Sequence, residues 1–230
     1  MLLPDYWLTR PGPEPDAGTR LAFDALLESS LRASECPTIA YHLPAPKWQF
    51  LSYLAEHYKF ALHGSGNPDI ALFEPRQSND LGEFGNQKAV YAASDGIWAM
   101  FFAVVDRDRI GTITNACAHL TDEAGTRLGP YYFFSISRDA LPQQPWRTGT
   151  LYLLPSESFV PQPPVPFGTY QVHFAQLASL APVTPFAKLT VAPQDFPFLA
   201  QIRGHDDNRL QEYADALMSG APLPDDAATA

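Results

Sequence analysis

The stretch "ALHGSGNPDI" (Ala61–Ile70) sets His-Gly-Ser directly after a short apolar run. Apolar residues followed by Gly, Ser, Asn and Pro read as a strand that stops in a turn. A histidine at such a strand end needs a hydrogen-bond partner, and Gly-Ser beside it lets another group come close to the backbone. The stretch is therefore either the rim of a ligand site or a strand end holding a satisfied structural histidine. Its surroundings decide between the two.

Downstream, "FEPRQSNDLGEFGNQK" (Phe73–Lys88) is polar and mostly non-periodic. Loops of this length are uncommon inside compact domains and are often functional. "AVYAASDGIWAMFFAVVDR" follows, with Ala89–Ala93 as a buried strand and Ser94 as the cap of a helix, Asp95 lying near its positive end. Ile97, Met100, Phe101, Val104 and Val105 then recur at i, i+3, i+4, i+7 and i+8, which predicts a core-facing helix.

Upstream, "WQFLSYLAEHY" carries a helical stripe of Trp48, Leu51, Ala55 and Tyr58. "TRLAFDALLESSLRAS" puts Phe23, Leu26, Leu27 and Leu31 on one face of another helix. "PGPEPD" (Pro11–Asp16) reads as an irregular lead-in and "CPTIAYHLPAP" as an extended segment, because proline lacks an amide donor and restricts the residue before it. Further strands are expected at Ile110–Ala116, Tyr131–Ser137, Leu151–Leu154, Tyr170–Phe174 and Ala187–Val191. A last helix over about Asp207–Met218 turns Leu210, Tyr213, Ala214 and Leu217 to one side, and "APLPDDAATA" is expected to fray. With helices early and late and strands crowding the second half, the fold class is α+β.

The chain has 230 residues, 46% of them hydrophobic and 17% charged, which suits a globular domain with a substantial core. A net charge of −10 with no Lys/Arg cluster argues against nucleic acid as a partner. No apolar run approaches the roughly 18 residues of a membrane span. The opening residues lack the basic region and apolar stretch of a signal peptide, so a cytoplasmic location is the expectation. Two cysteines, Cys36 and Cys117, without CxxC spacing make neither a disulfide framework nor a zinc motif, and both are expected reduced. The 6 histidines include no HxH or HxxxH pair, so nothing in the spacing points to a metal. A serine nucleophile elbow requires Gly-x-Ser-x-Gly, whereas Ser65 has His63 at minus two and Asn67 at plus two.

"LHGS" (Leu62–Ser65), a loop, and then "VYAAS" (Val90–Ser94) leading into a helix resemble the ADP-ribosyltransferase superfamily, in the branch typified by poly-ADP-ribose polymerases. The resemblance spans roughly residues 60–196. It implies a split antiparallel β-sheet, with helical additions at both ends of the chain. It also implies NAD as ligand or substrate, with His63, Gly64 and Ser65 gripping the adenosine ribose and the nicotinamide amide. Tyr91 would stack on the nicotinamide. In that family a glutamate opening a late strand orients the nicotinamide ribose. Here "AQLASLAPVTPFAKLTV" aligns through Pro182-Val183-x-Pro185 and puts Gln176 in the acidic position, with Leu177 for the aromatic that follows. Glu157 is an alternative acid that comes early for the motif, and Arg76 is the cation placed to meet a diphosphate.

The chemistry explains such a set of residues. Nicotinamide leaves through an oxocarbenium-like state, so a carboxylate acts on charge that develops only in the transition state. A glutamine accepts a hydroxyl bond but cannot neutralise that cation. Two functions are therefore expected: an NAD or ADP-ribose binder with weak ADP-ribosyl transfer or NAD hydrolysis, or an inactive binding module of the same fold. The expected organisation is an extension over 1–45, the ADP-ribosyltransferase-like domain over 46–200, and a terminal helix and tail over 201–230.

Overall fold

The computed structural model describes residues 3–32, 36–80 and 82–224. In chain order its elements begin with β1 (Leu8–Thr9), α1 (Ala17–Leu31), α2 (Lys47–His57), β2 (Ala61–Ser65), β3 (Arg76–Gln77), β4 (Lys88–Ala93) and α3 (Gly96–Val104). The second half holds β5 (Ile113–Thr121), β6 (Arg127–Ser137), β7 (Gly149–Leu154), β8 (Val160–Pro161), β9 (Val165–Phe167), β10 (Tyr170–Phe174), β11 (Gln176–Ser179), β12 (Ala187–Val191), β13 (Arg203–His205) and α4 (Leu210–Ser219). This is an α+β fold built on two sheets. One runs β1-β6-β5-β10-β9 with β13 on β6, and the other runs β12-β7-β2-β4-β11-β8 with β3 on β4. Pairing between named strands is antiparallel except for β13 on β6. Among the described residues no helix is long and apolar enough to cross a membrane.

The main core lies between the sheets. Leu62, Leu151 and Leu153 of the second sheet share one apolar cluster with Tyr132, Phe134 and Ile136 of the first, and with α1, α2 and α3. The stripe of α1 is as expected: Phe23 and Leu27 are buried, and Asp16 caps the helix by accepting from Thr19 N–H at 2.7 Å. In α2, Trp48, Leu51 and Ala55 are buried, but Tyr58 falls just past the helix and is exposed, its hydroxyl donating to Asp24. The cap of α3 also differs from expectation. Asp95, not Ser94, accepts from Trp98 N–H at 2.8 Å, while Ser94 bonds the Ala175 carbonyl.

Asp95 is fully buried, and it also accepts from the Tyr132 hydroxyl at 2.9 Å with the Arg10 guanidinium 3.7 Å away. Burial pushes its carboxyl pKa up, against the pull of these partners. Its work is to tie α3 to the first sheet. Helix α3 in turn lies directly on β2 and β7. A Cβ at Gly64 would stand 2.1 Å from the Ala99 carbonyl oxygen, and one at Gly149 2.0 Å from that of Ala103. Both glycines let helix backbone touch strand backbone.

The strand expected at Ile110–Ala116 starts three residues later and runs further, because Asp106 caps a 3-10 turn over Arg107–Arg109. Its partner β6 begins four residues before the expected Tyr131, since Asp122 accepts from Thr126 N–H at 2.7 Å and closes a tight hairpin at Gly125 (φ 81°). The segment around Ile39 is extended as expected and bonds the Lys188 carbonyl at 2.7 Å. β1 and β13, far apart in sequence, both pair with β6 in the first sheet. The last helix is a 3-10 turn (Asp207–Arg209) followed by α4, which buries Tyr213 and Ala216 and ends on Gly220 at φ 71°. Of the tail expected to fray, the described part is packed instead, with Leu223 buried in a cluster with Tyr6 and Tyr213, while residues 225–230 lie outside the described residues.

Candidate functional site

The two sheets meet where one strand passes from the first into the second. β10 ends at Phe174 and β11 starts at Gln176, so a single extended stretch changes sheets at Ala175. There Ala175 N–H donates to the Cys117 carbonyl of β5 at 2.9 Å, and the Ala175 carbonyl accepts from Ser94 N–H at 2.8 Å. A strand that switches sheets makes a corner between them, and here Phe174 and Gln176 on either side of it both line one cavity. Its volume is about 750 Å³. That volume lies within the usual range for a small-molecule site.

His63, Gly64, Tyr91 and Gln176 all line this cavity, although they come from β2, β4 and β11. Ser65 does not; its Oγ accepts from Asn67 N–H at 3.1 Å and closes the turn after β2. Glu157 is exposed and outside the lining, as is Arg76, which lies on β3. The polar loop does reach the site, through Ser78, Asn79 and Asp80. Asp80 is the one carboxylate lining the cavity among the described residues, and it accepts from Gly82 N–H at 2.8 Å.

The pleat orders these groups. Leu62 pairs with Ala93, Gln176 with Ala93 and Ala178 with Tyr91, so Tyr91 and Gln176 share the face of the sheet that carries Leu62. His63 alternates to the other face, where its ring centroid lies 4.7 Å from that of Phe73. The expected arrangement, with the His63 and Tyr91 side chains on one face, is therefore not what the pleat gives, although both residues contribute to the cavity lining. β2 and β4 share a single ladder pair, Leu62 with Ala93, and then separate. The His63 ring links the two strands, with Nδ1 2.7 Å from the Tyr91 carbonyl oxygen.

A carbonyl can only accept, so Nδ1 carries the proton in that bond. Burial lowers the His63 pKa from its ordinary value, and the Tyr91 carbonyl only partly opposes this. The imidazole is therefore neutral at pH 7, with Nε2 as a bare acceptor. Tyr91 is pinned at its hydroxyl, which accepts from Gln87 N–H at 2.8 Å and donates to the Phe84 carbonyl at 3.0 Å. Its ring cannot swing away. The Gln176 carboxamide makes no side-chain hydrogen bond to any described residue, while its backbone carbonyl accepts from Gln162 N–H at 2.9 Å.

Several lining residues were not candidates in the sequence. Trp98 and Phe102 of α3 meet edge to face with centroids 5.6 Å apart, and Trp98 Nε1–H donates to Asn115 Oδ1 at 2.6 Å. Phe102 is the half-buried residue of a helix otherwise buried all round, and that exception is what turns it to the cavity. Arg107 is the one lysine or arginine in the lining among the described residues. Toward α4 the walls turn apolar, with Val172, Phe174 and Leu217. Comparison with models of protein families, with curated proteins and with solved structures finds no match to this chain.

Proposed function

We propose that the cavity binds a nicotinamide nucleotide, NAD or an ADP-ribose compound, in a protein that resembles the ADP-ribosyltransferases. The observation that carries this reading is the convergence of His63, Gly64, Tyr91 and Gln176 on one cavity at the sheet-switching corner. Nε2 of neutral His63 accepts a ribose hydroxyl. Beyond Leu62 the β4-facing edge of β2 lacks a ladder partner, so backbone groups at Gly64 meet the nicotinamide carboxamide. The Tyr91 ring supplies a stacking face, worth about 0.5–1.5 kcal/mol beyond its burial.

The bond at issue joins nicotinamide to the ribose anomeric carbon. Its electron pair leaves with the nicotinamide nitrogen, and water or another acceptor adds to the oxocarbenium-like carbon and loses a proton. Gln176 orients a ribose hydroxyl but brings no charge to this step. Asp80 stands in the exposed loop with its carboxylate engaged by Gly82. Slow turnover at best is the catalytic side of the proposal. The second reading, a binding module without turnover, rests on the same glutamine.

Thermal or chemical unfolding with and without ligand tests the binding. NAD at about 100 times its dissociation constant is expected to stabilise the wild type by about 2.7 kcal/mol, and the shift should vanish in Tyr91→Ala and His63→Ala. A wild type unmoved by millimolar NAD, nicotinamide and ADP-ribose would remove the proposal in both its forms.

A further inference from the structure

The resemblance said nothing about what grips the charged middle of such a ligand, and the cation suggested by the sequence, Arg76, lies outside the cavity. We infer that Arg107 is the anion anchor of this site, the residue that selects ligands carrying a phosphate or diphosphate. The inference rests on the nucleotide reading and adds to it the group that recognises the anionic part.

Arg107 opens the 3-10 turn that follows α3. The turn is held in place from both sides. Asp106 N–H donates to the Pro145 carbonyl at 2.9 Å, Arg147 N–H donates to the Val104 carbonyl at 2.8 Å, and Val105 bridges to Trp146. A second guanidinium, that of Arg147, is near enough for its charge to act on Arg107. Arg147 packs over Gly66, where a Cβ would come within 2.0 Å of its Cζ, and it pairs with Asp106 at 3.4 Å. That leaves Arg107, among the described residues, with no hydrogen bond and no ion pair.

In a chain of net charge −10, an unpaired arginine beside another arginine is an unusual choice. The residue is exposed as a whole, yet its guanidinium is sheltered enough for desolvation, and then the charge of Arg147, to lower its pKa. An anion answers both costs. A guanidinium fork matches two phosphate oxygens, and each charge-assisted bond is about twice as strong as a neutral one. The location fits as well. Arg107 lines the same cavity as His63 and Gly64, and Arg147 packs against Gly66, the residue that follows β2.

The test titrates wild type, Arg107→Gln and Arg76→Gln with NAD, ADP-ribose and nicotinamide riboside, which lacks the diphosphate. Arg107→Gln is expected to weaken NAD and ADP-ribose by ~10-fold or more and to leave the riboside unchanged, while Arg76→Gln changes none of the three. Because Arg107 is exposed and unpaired, an unchanged Tm is expected for the free variant. Equal NAD affinity in wild type and Arg107→Gln overturns the anchor and leaves the nucleotide reading standing. Equal loss for all three ligands assigns Arg107 a general structural role and also overturns it. A wild type that binds none of the three removes the nucleotide reading and the anchor together.

Discussion

Gln176→Glu is expected to raise the rate of nicotinamide release from NAD by ~10²–10³-fold, with NAD affinity nearly unchanged. That factor is what one preorganised electrostatic partner of a transition state is typically worth. Charge matters here because the ribose carbon becomes cationic only as the glycosidic bond breaks, so the added carboxylate acts on the barrier and little on the ground state. The position is suited to it. Gln176 is the first residue after the strand changes sheets, it lines the cavity, and its carboxamide has no described side-chain partner to lose. The assay is nicotinamide release at saturating NAD, beside a binding titration. Turnover in the wild type that survives Gln176→Ala would move the chemistry to another group, and Asp80 is the one described carboxylate in the lining. A Gln176→Glu variant that binds NAD and stays inert would establish the binding module instead.

Gly64→Ala is expected to be the most damaging single-methyl change near the site. The new Cβ would meet the Ala99 carbonyl oxygen at 2.1 Å and the Ala103 nitrogen at 2.6 Å. Both are helix backbone, so no side chain can rotate away. α3 would have to lift from the sheet, and Ile97, Met100, Phe101 and Val104 of the main core would lift with it. Overpacking of this kind costs about 3 kcal/mol or more, a fall in Tm of roughly 6–12 °C for a chain of this size. Ser65→Ala, next in sequence, should lose only a turn bond. If Gly64→Ala keeps the wild-type Tm, then α3 does not lie on β2 as described. The middle residue of "HGS" is thus demanded by packing before any ligand is considered, and its binding role can be assayed only in variants shown to be folded.

Much of the secondary structure was legible in the sequence because its elements are long enough to show a period. The stripes of α1, α2 and α3 and the apolar runs of β2, β4, β7, β10 and β12 fall close to where their residues predicted them. The short strands β1, β8, β9 and β13 have two or three residues each, too few for alternation to register, and tertiary pairing alone makes them strands. The strand expected at Tyr170–Phe174 was placed, but β11 and the sheet change at Ala175 left no mark, since only the pairing partners differ on the two sides of Ala175.

The site divides in the same way. His63, Gly64, Tyr91 and Gln176 were candidates through local motifs, and they share one cavity. Ser65 belonged to the same motif, but it lies outside the lining and its hydroxyl is taken up by the turn after β2. Arg107 sat in "VVDRDRIG", indistinguishable from a solvated charge run until the turn after α3 brought it to the cavity. Trp98 and Phe102 lie off the stripe of Ile97, Met100, Phe101, Val104 and Val105, and the periodic reading gave that other face no partner; in the fold it packs toward the cavity.

The central claim is that His63 offers a neutral acceptor nitrogen to a nucleotide in this cavity. Nitrogen-15 NMR of its imidazole, with and without NAD, tests this most directly. The account predicts a free protein at pH 7 in which Nδ1 is protonated against the Tyr91 carbonyl and Nε2 is bare. On saturation with NAD the Nε2 resonance should move as it accepts a ribose hydroxyl, with Nδ1 held in place. A proton on Nε2 in the free protein, or an Nε2 resonance that ignores saturating NAD, would contradict it.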